Sequence, residues 1–543
     1  LEGTESMKSL SNIRHVVSLA ATALVFTVIL GVVALRSSPD ASPGKDPSKP
    51  HDWPMYGGSV SRDLVNLAEK GMPTKWDVGK GTNIKWSVEL GSKAYGGPIV
   101  AGGRVYIGTN NDKPRDPAIK GDKGVLMCFD EATGKFLWQA VHDKLLAGRV
   151  NDWPREGICS SPVVEGNRLY YINNRAEIIC ADTAGAAGKE KVLWKKDMIG
   201  QWDVFPHNLA VCSPLIVGNT LFAVTANGVD EGHINIPRPA APSFLALDKM
   251  NGKLLWKDNA PTQSLVQARK GGAKVNIPKM VNEGKLLMHG QWSNPVYAEP
   301  NGKPMIIFPG GDGWIRGYKP DNGELLWKFD CNPKKTVYKL GPGATRNDFV
   351  STPVVWENKL YIGVGQDPEH KKGVGHLWCI DLTKTPKNMD KDLTPVNNNF
   401  DPKAAVNKDS GLVWHYGGKA PRGVRRNYQF GRTMSTCAVH DGLCYAADYD
   451  GYIYCLNANT GEKYWEDKLG ADTWSSPYWV DGKIYMGCEN GSMLIYEHGK
   501  MKKRLGKINM GADAVRAAPV AVHGVLYVMT ENPTKLWAIS TKK

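Results

Sequence analysis

Polar and aromatic side chains recur at matching places along this chain, most of them just ahead of a small-small-Pro motif. They include Asn151-Asp152-Trp153-Pro154-Arg155-Glu156, Gln201-Trp202-Asp203 with His207-Asn208, Gln291-Trp292, Arg346-Asn347-Asp348, Arg425-Arg426 with Arg432, Asp472-Thr473-Trp474, and Asp513 with Arg516. Guanidinium groups suit bidentate carboxylate binding, and indoles supply flat faces for stacking. Trp202, Asp203, Arg346, Asp348, Arg425, Arg432 and Trp474 are the candidate ligand-binding residues. A calcium ion would need several converging oxygen ligands, and Asp152, Glu156, Asn208 and Asp348 carry suitable atoms. The competing reading is that these groups bond to one another and to nearby backbone. No catalytic residue and no metal-ligand set is assigned.

The elements that must hold these residues come from a repeat. Its core is small-small-Pro, a short apolar strand, a second strand, a third ending in Asp or Asn, a Gly-containing turn, and a fourth ending in Trp. One copy runs Ser160-Ser161-Pro162, Leu169-Tyr170-Tyr171, Ile178-Ile179-Cys180-Ala181-Asp182 and Trp194. Eight copies begin near Pro98, Pro162, Pro214, Pro295, Pro353, Cys437, Pro477 and Pro519. Four short antiparallel strands per copy, repeated radially, predict an all-β, eight-bladed β-propeller. The last copy supplies only three strands. Ile84-Lys85-Trp86-Ser87-Val88 carries the repeat Trp ahead of the first full copy, so it is expected to complete the last blade and close the ring. In such a ring the first strands line the central channel, and the chemistry-bearing segments gather at one mouth of it. Long loops between second and third strands (109–124, 226–243 and 365–375) fall on the same face. The insert 383–410 falls on the opposite face and reads as a solvated excursion.

Cys128, Cys180, Cys379 and Cys455 share one third-strand slot, where a small buried residue is required. No Cys-x-x-Cys occurs among the ten cysteines, so neither a redox motif nor a c-type haem site is indicated. The net charge is +14, from 68 Lys and Arg against 54 Asp and Glu, but it is scattered. No basic block or zinc-finger spacing accompanies it, so nucleic acid is not an expected partner. Residues 16–35 are 20 residues without a charge, preceded by Lys8 and Arg14. That length matches a membrane-spanning helix with a cytoplasmic flank, and the rival is a cleaved signal peptide with Val32-Val33-Ala34 as its cleavage site. The expected organisation is a short cytoplasmic N-terminus (1–15), a transmembrane signal-anchor helix (16–35), a Pro- and Ser-rich linker (36–52) and a propeller domain (53–543) outside the cytoplasm, on the periplasmic side.

The pattern Phe129-Asp130, Ala181-Asp182 and Leu247-Asp248, followed by Gly-containing turns and Trp, resembles the pyrroloquinoline-quinone (PQQ) repeat of quinoprotein alcohol dehydrogenase-like propellers. The opening Asp52-Trp53-Pro54-Met55-Tyr56-Gly57-Gly58 is similar to their lead-in. The resemblance implies one of two roles. PQQ- and calcium-dependent dehydrogenases of alcohols or sugars hold their cofactors in the central funnel. Non-catalytic relatives such as the assembly lipoprotein BamB bind protein partners. The chain lacks the vicinal Cys-Cys that packs on the quinone in many of the former, and the lipid-anchor Cys of the latter. The expected function is a membrane-anchored scaffold that binds a protein partner at the membrane surface, with no cofactor. The alternative is a PQQ- and calcium-dependent dehydrogenase.

Overall fold

A computed structural model describes residues 51–272, 274–339, 343–395, 406–420 and 426–542. The expected membrane-spanning segment 16–35 lies outside the described residues. Among the described residues no helix is long and apolar enough to cross a membrane.

The described chain is all-β in its core and propeller-like. Thirty-two of its strands form eight antiparallel units of four. The first unit is Ile99–Ala101, Arg104–Asn110, Lys123–Asp130 and Phe136–Asp143. The eighth is Val520–Val522, Val525–Thr530, Lys535–Ile539 and the early strand Ile84–Glu89. Trp86 lies opposite Ala538 in that last pair, so the N-terminal strand completes the C-terminal unit as its sequence position implies.

The repeat Trp links neighbours. Its indole Nε1 donates to a carbonyl at or just beyond the end of the third strand of the next unit. Trp138 donates to Thr183, Trp194 to Lys249, Trp256 to Pro320, Trp414 to Ala458 and Trp465 to Gly499. Trp86 of the eighth unit donates to Glu131 of the first, which returns the series to its start. The same ring covers Gly134, where a Cβ would meet it at 2.8 Å, and φ is +72°. Glycine is therefore required twice over at that turn. Trp86→Ala is expected to destabilise by about 2–3 kcal/mol, below the usual cost for a fully buried Trp because this one is only partly buried. Urea unfolding followed by intrinsic fluorescence checks this.

The small-small-Pro motif has a matching role near the axis. Its second residue passes a hydrogen bond from unit to unit. Ser161 N donates to Ser213 Oγ, Ser213 N to Asn294 Oδ1, Asn294 Nδ2 to Thr352 Oγ1, Thr352 N to Thr436 Oγ1, and Thr436 N to Ser476 Oγ.

Residues 53–69 form a strap that bonds to every unit in turn. Trp53 pairs with Val100, Pro54 accepts from Val164, and Arg62 donates to Ser213 and Pro214. Val60 accepts from Tyr297, Ser61 from Val355 and Leu64 from Trp479. Tyr56 Oη meets Thr436 Oγ1 at 2.9 Å. Asn66 and Glu69 bond the first-to-second-strand turn of the eighth unit. The strap thus ties together first strands that otherwise meet only edge to edge around the axis.

Two segments depart from the regular pattern. Lys391–Leu393 of the insert 383–410 pairs with Lys328 on the outer strand of unit four, with Leu393 fully buried. Residues 391–395 therefore seal an edge, whereas 383–390 are largely exposed, as a solvated excursion would be. The insert also displaces the turn that Trp327 would have met, and Trp327 Nε1 instead contacts Met305 Sδ of its own unit. Between units three and four, helices Ala260–Lys270 and Ile277–Asn282 each start with Pro in the first turn. Leu265 and Val281 pack with Val229, Ile236 and Met288 into a small separate core. This core holds the long loop 226–243 against the mouth of the channel.

Candidate functional site

A cavity of about 400 Å³ lies where the first-strand lead-ins converge. The strap contributes Tyr56 to its lining. Its aromatic walls are Tyr95, Trp153, Trp292 and Trp474, and its charged groups are Glu156, Asp367, Glu369 and Arg516. Trp474 is stacked on Tyr95 at 5.9 Å and 16°. The Arg516 guanidinium lies 4.3 Å from the Trp474 ring centroid.

Arg516 is committed elsewhere. Its Nε and one terminal nitrogen bond Glu489, and the other terminal nitrogen bonds Glu531. Glu489 and Glu531 neutralise Arg516, with Lys93 also 3.2 Å from Glu531, and the remaining charged side chains of the lining, Glu156, Asp367 and Glu369, are acidic. Burial raises the Glu156 carboxyl above its usual range, although Tyr95 hydrogen-bonds it. Burial and the neighbouring Asp367 charge raise Glu369.

Of the residues singled out from sequence, Trp474 lines the cavity, as do Trp153, Glu156, Asn208, Trp292 and Arg516 from the same lead-ins. Arg346, Asp348 and Arg432 are buried behind it, each about 1–2% exposed. Arg346 donates to the Asp312 carbonyl and to Asp330, and Arg432 donates to the carbonyls of His370, Lys371 and Ala344. Their guanidinium groups hold backbone. Burial drives the Asp348 carboxyl well above its ordinary value, which favours the neutral acid. Trp202 and Asp203 sit at the end of the short helix Met198–Trp202, away from the cavity lining. Asp203 is exposed and pairs with Arg238 at 2.7 Å. Arg425 lies outside the described residues.

PQQ carries three carboxylates and would need uncommitted cationic donors in this cavity. The lining offers one arginine, already bonded to two glutamates, and three further acids. Calcium fares no better. Asp152 is held by Lys144, Asn174 and the Leu145 amide. Asp348 is buried outside the lining and favours its neutral form, which leaves Glu156 and Asn208 as the two of the four oxygen donors in the lining. Among the described residues, the cavity lining offers no uncommitted cationic side chain to a quinone carboxylate.

Beside the cavity, sharing Asp367 with it, lies a group that sequence reading did not assemble. His207, His233, His289 and His370 come from the loops of units two to three, three, three to four, and five. His233 and His289 ring centroids are 4.3 Å apart, His207 and His289 4.4 Å, and His289 and His370 5.1 Å. Asp367 caps the turn Pro368–His370 and approaches His370 Nδ1 at 3.1 Å and His289 Nε2 at 3.4 Å. Arg432 positions this turn through its two carbonyl contacts. The available clue was that all four histidines fall on loops the strand count assigns to one face.

The fold matches a known class. The chain matches the family model described as outer membrane protein assembly factor BamB over residues 122–394 and 403–543, and it belongs to that family of PQQ-like propellers. It is similar to the quinoprotein alcohol dehydrogenase PedH of Pseudomonas putida, 22% identical over 355 residues, covering 61% of this chain and 51% of PedH. The chain thus spans about half the length of that curated relative. A europium-containing methanol dehydrogenase shares the fold at 15% identity, with 90% of each chain covered and a TM-score of 0.55. BamB from Moraxella catarrhalis aligns at 12% identity over 85% of this chain and 98% of its own, with a TM-score of 0.49.

Proposed function

We propose that this protein is a small-ligand-binding propeller, held outside the cytoplasm by residues 16–35, whose hub cavity takes a cationic organic molecule with a flat or apolar body. The observation that carries this reading is the cavity lining. Aromatic walls surround acids, and the only guanidinium is neutralised in place. Aromatic faces attract cations, most strongly where water is excluded. A cation of this kind gains from Glu156, Glu369 and the aromatic walls together, whereas an anion meets like charge. Trp474→Ala removes one wall and is expected to weaken binding of a benzyltrimethylammonium probe about tenfold or more. Isothermal titration reads this directly, and unchanged affinity would show that Trp474 does not touch the ligand.

The family match favours a second reading, in which the propeller serves as an assembly scaffold for a protein partner at the membrane surface. Affinity capture of the full chain from detergent-solubilised membranes tests it. A bait that retains no reproducible partner counts against it and leaves the cavity reading untouched.

A further inference from the structure

We propose that His207, His233, His289, His370 and Asp367 bind a divalent first-row transition-metal ion of the zinc type at the edge of the hub cavity. Three observations carry this.

The first is convergence. In each of two triads, His207–His233–His289 and His289–Asp367–His370, the candidate ligand atoms lie within 4.8 Å of one another, and His289 belongs to both. Tetrahedral ligands at about 2.0–2.1 Å from zinc stand roughly 3.3 Å apart, so small side-chain rotations complete either set.

The second is unmet hydrogen-bonding capacity. His207 and His289 are each 1% exposed. His207 Nε2, His233 Nδ1 and both ring nitrogens of His289 are buried without a hydrogen-bond partner. Buried polar atoms are nearly always paired, so these rings call for an occupant. A cation that accepts one lone pair from each neutral ring supplies it, and the remaining N–H of His289 can face Asp367 or backbone.

The third is orientation by an outer partner. The other nitrogen of His207, Nδ1, lies 2.8 Å from the Val229 carbonyl, which can only accept. The proton is therefore fixed on Nδ1, and the lone pair on Nε2 faces the cluster. Backbone carbonyls orient metal-bound imidazoles in this way. Arg432 does the equivalent for Asp367 and His370 by holding the turn that carries them.

The donor chemistry selects the ion. Imidazole nitrogens with one carboxylate suit zinc, cobalt, nickel, copper or iron, whereas calcium and magnesium take oxygen cages. The site thus differs in donor chemistry from the calcium site that the dehydrogenase branch implies. It shares Asp367 with the cavity lining, which puts a bound ion within reach of whatever occupies the hub.

The test uses the full chain purified in detergent, stripped with chelator and titrated with Co²⁺ and then Zn²⁺. The expected result is one equivalent of Co²⁺ per chain, with visible d–d absorption of a nitrogen-rich tetrahedral or five-coordinate site, displaced by Zn²⁺. His233→Ala, the least buried of the cluster, is expected to lower affinity at least about tenfold, as a defect in a metal site does. His289→Gln is expected to abolish the band. Circular dichroism establishes that each variant is folded, and His233→Ala keeps the test open if His289→Gln does not fold. Stoichiometric binding that survives in His233→Ala, or no d–d band in the folded wild-type chain, overturns the proposal. Neither readout involves the organic ligand, so failure here is separable from failure of the cavity reading.

Discussion

Replacing Arg62 with alanine is expected to destabilise the fold by about 3–5 kcal/mol. Arg62 is completely buried. Its Nε donates to Pro295 O at 2.9 Å, and its terminal nitrogens donate to Tyr56, Ser213 and Pro214 carbonyls at 3.0, 3.0 and 3.1 Å. Burial lowers the guanidinium to about 10, so it remains charged at neutral pH. The truncation leaves four carbonyls near the axis without their donor and opens a hole between the strap and units three and four. Arg62→Lys keeps the charge but not the fork, and is expected to fall between alanine and wild type. Urea unfolding at neutral pH is the measurement. A loss under about 1 kcal/mol for the alanine variant would mean that water replaces the guanidinium and that the strap does not hold the hub together.

The second large effect is a pH dependence carried by His376. This residue is 3% exposed, its Nδ1 is 2.9 Å from His415 Nε2, and burial lowers its pKa from 6.5 to about 3. The folded state holds it neutral while the unfolded chain takes up a proton below 6.5. Between the two values the unfolded state binds more protons, so stability falls as pH falls. The slope from this group is about 1.4 kcal/mol per pH unit once the unfolded form is protonated. Buried acids such as Asp330 and Asp448, whose values are raised by burial, act in the opposite sense. The comparison is therefore wild type against His376→Phe. Going from pH 7 to pH 5, the wild type is expected to lose about 2 kcal/mol more than the variant. Parallel stability curves would show that His376 is charged in the fold or screened by water.

The repeat made the four-stranded units legible, because its turns and strand lengths are local. Trp86 marked the closing strand for the same reason. The strap 53–69 was not legible. Its residues follow no period, and its partners are spread across more than 400 residues of sequence. Arg346 and Arg432 show a different limit. A guanidinium near a channel mouth reads the same in sequence whether it binds a ligand carboxylate or, as here, backbone carbonyls. Trp202 and Asp203 miss the cavity because the five-residue helix Met198–Trp202 interposes before the next first strand, which packs Trp202 against the core and leaves Asp203 exposed. The histidine cluster needed loops of three units to be folded over the hub before its members could meet. The helices after residue 259 help to hold one of those loops in place.

The measurement that bears most directly on the central claim is a paired titration of the full chain by isothermal calorimetry. One arm uses benzyltrimethylammonium. The other uses PQQ with Ca²⁺, monitored also for bound-quinone absorbance. An acidic, aromatic hub predicts saturable binding of the cation, lost or weakened in Trp474→Ala, and no quinone spectrum at saturating PQQ. Stoichiometric PQQ binding that depends on Ca²⁺, with no binding of the cation, would contradict it.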